Sequence, residues 1–157
     1  MVTDEDTVSE VSRRLESITN PVALYSRPEV ISTPSRPPPV PGIYAWSFKD
    51  IPGDISVDDC VTKDSLTLLY VGISPDKIGK PNSRQNLRRM IRTYSQGNAE
   101  GSTLRRSLGV LLAGESRYPL CRVGNGKRMT PTHSGEQWLD DWMTENAFVC
   151  WLEHQAP

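Results

Sequence analysis

The sequence predicts a small α/β domain: a central mixed or antiparallel β-sheet flanked by helices, preceded by an N-terminal helix and a proline-rich strap. Three observations carry this. Two runs rich in β-branched and aromatic residues, Ile43-Tyr44-Ala45-Trp46 and Leu66-Thr67-Leu68-Leu69-Tyr70-Val71, stand on either side of a polar, turn-rich connection. Three later segments repeat apolar residues at helical spacing. A last β-prone run over 147–152 follows the final helical segment. At 157 residues the chain suits one compact domain over 41–157, with 1–40 as an extension.

The elements follow in order. Thr7-x-x-Glu10 has capping-box spacing, and Val8, Val11, Leu15 and Ile18 share a face until Asn20-Pro21, which predicts a short amphipathic helix. Pro28, Pro34, Pro37, Pro38, Pro39 and Pro41 favour extended, polyproline-like chain over 27–41. Such a segment serves as a strap or as a docking motif for an aromatic groove. The two strands should pair antiparallel at the sheet centre, and the stretch between them, with Pro52-Gly53 and Asp58-Asp59, reads as a long loop. Ser83 can cap a helix with Leu87, Met90, Ile91 and Tyr94 on one side and Arg84, Arg88 and Arg92 on the other, closed at Gly97-Asn98.

A second helix over 103–113 would turn Leu104, Leu108, Leu111 and Leu112 inward and Arg105 and Arg106 outward, with Gly114 as terminator. Residues 120–123 and 127–130, joined through Gly124-Asn125-Gly126, predict a hairpin attached to the main sheet. Ser134-x-x-Gln137 opens a helix on which Leu139, Trp142 and Met143 pack inward and which Asn146 can close.

The net charge of −1 argues against a globally cationic nucleic-acid binder, but the charge is segregated. Residues 77–106 hold eight Lys and Arg against the single acid Glu100, so the rest of the chain is strongly acidic. That pattern suits a polyanion-binding face, and equally a solvated helix surface. Cys60, Cys121 and Cys150 are widely spaced and form no zinc pattern, so they read as thiols in a reducing compartment. The acidic N-terminus has no apolar core segment and no run approaches membrane-spanning length, which reads as a soluble, cytoplasmic protein without membrane contact.

Gly42-Ile43-Tyr44 and Tyr70-Val71-Gly72, followed by Asn86-Leu87-x-x-x-Ile91-x-x-Tyr94 and by Glu136 early in a later helix with Asn146 behind it, resemble the signature elements of the GIY-YIG endonucleases. The resemblance covers roughly residues 41–152. It implies a metal-dependent DNA endonuclease that hydrolyses phosphodiester bonds by a one-metal mechanism with Mg²⁺ or Mn²⁺. Tyr44 would orient or activate the attacking water, Tyr70 would hold the phosphate, Glu136 would bind the metal, and Asn146 would lie near the site. The chemistry is coherent: a phenol with a reference pKa of about 10 is a poor base at neutral pH. Charge building on the phosphate also needs a metal or a cation against it.

The chain departs from the family pattern at the arginine. Laid on Asn-Leu-x-x-Arg-Ile, residues 86–91 place Met90 at the arginine position, and a thioether cannot donate to a phosphate. Ile73 likewise stands where many members carry lysine. Arg89, about 100° round the helix from position 90, is the nearest substitute. Lys80, Arg84, Arg88, Arg92, Arg105 and Arg106 would track the DNA backbone. A homodimer or sequential nicking would be needed for double-strand breaks. Two other readings stand beside this one: a catalytically impaired nucleic-acid-binding module, and a protein-interaction adaptor working through the N-terminal helix and the proline tract. Each site residue also has a plain structural use. The tyrosines suit half-buried strands, Glu136 a helix N-terminus, Asn146 a helix end, Glu100 a loop, and His133 the turn before a cap.

Overall fold

The computed structural model of the chain describes residues 3–99, 101–122 and 129–155. Helix α1 (Asp4–Thr19) starts one turn earlier than the Thr7 spacing suggests, because Thr3 and Asp6 form the capping box. The stripe it carries is largely exposed, and only Ile18 is buried. β1 (Tyr25–Ser26) precedes the stretch expected to be extended, and α2 (Arg27–Ile31) interrupts it. Proline suits the first turn of a helix, where its missing N–H leaves no intrahelical bond unmade. Ser26 and Glu29 close the capping box around Pro28.

β2 (Gly42–Phe48), β3 (Thr62–Lys63), β4 (Leu66–Ser74) and β7 (Ala147–Glu153) join β1 in an antiparallel sheet of order β1-β7-β2-β4-β3. β3 lies in the stretch read as a loop. Asp64 and Ser65, both at positive φ, make the two-residue turn that returns it to β4. α3 (Leu87–Gln96) is capped by Asn86, not Ser83, which instead accepts from the Gln85 N–H. α4 (Thr103–Leu111) runs on into the single turn α5 (Ala113–Ser116), which contains Gly114 and ends at the left-handed Arg117.

β5 (Cys121–Arg122) and β6 (Met129–Thr130) pair with each other in a separate two-stranded sheet instead of extending the main one, and the predicted Gly-Asn-Gly tip lies outside the described residues. α6 (His133–Asn146) takes Thr132 as its cap in place of Ser134. No helix among the described residues is long and apolar enough to cross a membrane.

Strand alternation gives the sheet two faces. Tyr44, Trp46, Phe48 and Val149 pack with Leu87, Ile91, Leu108 and Met143 of the helices in the large core. Ala45 and Cys150 face Ile18 of α1 in a small second cluster. The strap is part of the packing. Val30 is fully buried, Tyr25 stacks on Trp151 with centroids 4.7 Å apart, and the Pro38 and Val40 carbonyls accept the first N–H groups of α3.

Candidate active site

The two tripeptides are complementary parts of one packing arrangement. Tyr44 sits opposite Gly72 in the β2–β4 register, and a Cβ at position 72 would fall on the Tyr44 hydroxyl and ring. Glycine there opens the space the phenol fills. Gly42 plays a similar part for the helix layer, since a Cβ would meet the Leu152 carbonyl oxygen and the Leu87 side chain of α3. Between them the register slips at Trp46/Ser47, so that both Leu69 and Tyr70 pack against the large core.

Tyr94, three residues beyond Ile91 on the buried side of α3, joins the two strand tyrosines. The Tyr44 hydroxyl donates to Tyr94 Oη at 3.1 Å, and the Tyr70 and Tyr94 hydroxyls lie 3.2 Å apart. The Tyr44 and Tyr70 rings are near parallel with centroids 6.4 Å apart, while Tyr94 stands edge-on to both at 5.5 and 5.9 Å. Burial pushes the Tyr44 phenol up to about 12 and raises Tyr70 and Tyr94 as well. All three are therefore protonated at neutral pH. From the sequence Tyr94 reads as an apolar stripe member and as the end of the Asn86-Leu87-x-x-x-Ile91-x-x-Tyr94 pattern, with no role in the site assigned to it. Its hydroxyl at the end of that stripe is the signal that distinguishes it.

Tyr44 and Tyr94 line a cavity of about 290 Å³ together with Ile73, Asp76, Lys80 and Met90. Met90 thus faces the tyrosines from the position where the family pattern has arginine. Arg89 is exposed, donates from Nη1 to the Arg84 carbonyl at 3.3 Å, and does not line this cavity.

Glu136 is held elsewhere. Its Oε1 accepts the Ala99 N–H at 2.9 Å and its Oε2 accepts from Arg105 Nη2 at 2.6 Å, and it lines a separate cavity of about 610 Å³ with Asn98, His133 and Asp140. Arg105, expected to face outward, is 0% exposed. Its spacing of three and seven from Leu108 and Leu112 places it on their side of α4. A guanidinium buried there cannot track a duplex. It ion-pairs with Glu136 and, at 2.8 Å, with Asp140, which Arg27 also approaches at 3.4 Å. Asn146 is buried, with its amide donating to the Trp142 carbonyl of its own helix.

The remaining basic residues divide between surface and strap. Lys80, Arg84 and Arg106 are exposed and Arg92 is half-buried, whereas Arg88 Nε donates to the Pro37 carbonyl at 2.8 Å. Glu100 lies outside the described residues. Among those described, no three His, Cys, Asp or Glu side chains stand together as a metal cluster.

Residues 42–157 match the family model of the GIY-YIG catalytic domain. No curated protein and no solved structure matches the chain. The matched segment is well over half of the sequence and begins at the glycine whose missing side chain admits α3, so the chain belongs to the GIY-YIG catalytic domain family, a family of nucleases.

Proposed function

We propose that the chain is a DNA endonuclease that hydrolyses phosphodiester bonds with one divalent ion, Mg²⁺ or Mn²⁺, at the cleft around Tyr44, Tyr70 and Tyr94. The observation that carries this reading is the convergence of three hydroxyls, from two strands and a helix, with Tyr44 and Tyr94 lining one polar cavity and Tyr70 joined to them through the Tyr94 hydroxyl. In the reaction a water oxygen bonds to phosphorus while the bond from phosphorus to the sugar oxygen breaks, and the one proton the water gives up reaches the leaving sugar oxygen through solvent. Tyr44 gives its own proton to Tyr94, which leaves lone pairs to accept from that water. With its phenol at about 12 it orients the water and is too weakly ionised to serve as a base at neutral pH. Tyr70 would donate to a phosphate oxygen.

Divalent-metal dependence is general among GIY-YIG nucleases, and the ion supplies positive charge against the phosphate. Glu136 is the weaker choice of ligand, because it lines the other cavity and Arg105 offsets its charge. Asp76 fits better. It lines the tyrosine cleft, and hydrated Mg²⁺ needs only one or two carboxylates besides substrate phosphates. Glu136 is instead a positioning residue that ties α6 to α4 through Arg105 and to the segment before α4 through Ala99. Exposed Arg84 and Arg106 would follow the duplex, so that affinity falls steeply with salt.

Met90 in the cleft favours a second reading, a module that binds DNA without cutting it. The adaptor reading has less support, because the Pro37, Pro38 and Val40 carbonyls of the strap are engaged by α3. Supercoiled plasmid separates the first two. Conversion to nicked circles in Mg²⁺ or Mn²⁺, stopped by EDTA, is expected; salt-sensitive binding with no nicking in either ion would favour the binding module.

A further inference from the structure

The tyrosine cleft lacks the helical arginine but not a cation. Among the described Lys and Arg residues, Lys80 is the one that lines it, on the loop between β4 and α3. That loop is internally braced. The Lys80 N–H donates to the Asp76 carbonyl at 2.8 Å, the Lys80 carbonyl accepts the Ser83 N–H at 3.0 Å, and Lys77 Nζ donates to the Ser83 carbonyl at 2.6 Å. Asp76 Oδ1 accepts the Gly79 N–H at 2.9 Å, and a Cβ at Gly79 would fall on the other carboxylate oxygen. The backbone on both sides of Lys80 is therefore held by local bonds, and Gly79 leaves room for the Asp76 carboxylate that closes the loop.

The other cations near this end of α3 are used differently. Arg88 is bound to the strap, and Arg89 turns back to the Arg84 carbonyl. A phosphodiester entering the cleft to reach Tyr44 would find Met90 on one wall and Lys80 as the described positive charge. We propose that Lys80 is a catalytic residue that contacts the scissile phosphate and supplies the charge absent at Met90. This rests on the nuclease reading for its catalytic part, while its phosphate-binding part stands without it. An ammonium contacts phosphate as a point charge, without the two-pronged geometry of arginine, so the site tolerates its approach from a loop instead of the helix.

The test uses the full chain with methyl-labelled methionine, so that the Met90 methyl reports on the cleft by NMR. A 12-base-pair duplex and inorganic phosphate are titrated separately in EDTA, where cleavage cannot intervene. In the wild type and in Lys80→Arg the duplex shifts the Met90 methyl. In Lys80→Ala duplex affinity falls about tenfold, the scale of one charge-assisted contact, and the log–log salt slope drops by about one. Lys49→Ala, at the far end of β2, serves as the control and leaves both unchanged. A response to inorganic phosphate as strong as that to duplex would identify a free-phosphate site and overturn the assignment to the scissile phosphate.

Nicking by Lys80→Ala should likewise fall about tenfold and be partly restored in the Lys80→Ala/Met90→Arg double variant. Duplex affinity and salt slope unchanged in Lys80→Ala, or no Met90 shift in the wild type, would overturn the proposal. Lys80-dependent binding by a wild type that never nicks would instead remove the nuclease reading and leave the phosphate contact standing.

Discussion

Gly72 carries no side chain opposite Tyr44, and the space this leaves is what lets the phenol lie flat across β4 and meet Tyr94. Gly72→Ala should cost about 1–3 kcal/mol as an overpacked contact and displace the Tyr44 hydroxyl, read as a lower melting temperature together with lost nicking. Tyr94→Phe keeps the ring packing but removes the hydroxyl between Tyr44 and Tyr70. A loss of about 1–2 kcal/mol in urea unfolding is expected. Arg105 belongs to stability more than to DNA. Arg105→Met leaves Glu136 and Asp140 without their buried partner and should cost about 3–5 kcal/mol, against about 0.5 kcal/mol or less for exposed Arg84→Ala.

At the scale of elements, the strap and α3 are one construction. The first N–H groups of α3 have no partner within the helix; Leu87 and Arg88 donate theirs to the Val40 and Pro38 carbonyls, and Arg89 donates to the Asn86 side chain. Asn86→Ala should cost about 1 kcal/mol, and deleting residues 1–40 should lower the melting temperature much more by removing β1, Val30 and two of these caps. The two long signature strands and the last strand were legible because their β-prone residues run over several positions. The short strands β1 and β3 were not, since two residues carry no periodicity. The cap of α3 lies at Asn86 and not at Ser83: both residue types cap well, and Asn86 is the one whose side chain accepts the Arg89 N–H. In the site, Tyr44, Tyr70 and the vacancy at Met90 could be found by motif. The burial of Arg105 and the place of Lys80 in the cleft could not: chemical type argued for an outward arginine, and Lys80 reads from the sequence only as one of six cations along a DNA backbone.

Across the whole molecule, two buried tyrosines and the half-buried Tyr70 make stability sensitive to alkali. Burial raises their ionisation above the unfolded value of about 10, so the unfolded chain loses protons first. Stability should be fully present below pH about 10 and decline as pH rises toward the Tyr44 value of about 12, with phenolate absorbance appearing alongside unfolding; Tyr44→Phe should make this decline shallower. The same burial keeps the three phenols neutral at physiological pH, which leaves charge neutralisation to a divalent ion and to the cation that lines the cleft. The most direct test of the tyrosine cleft as a hydrolytic site is the initial rate of plasmid nicking in Mn²⁺ by wild type and by Tyr44→Phe, which removes one hydroxyl and keeps the ring. A loss of about a hundredfold or more is the expected result; equal rates for the two proteins would place the chemistry somewhere other than Tyr44.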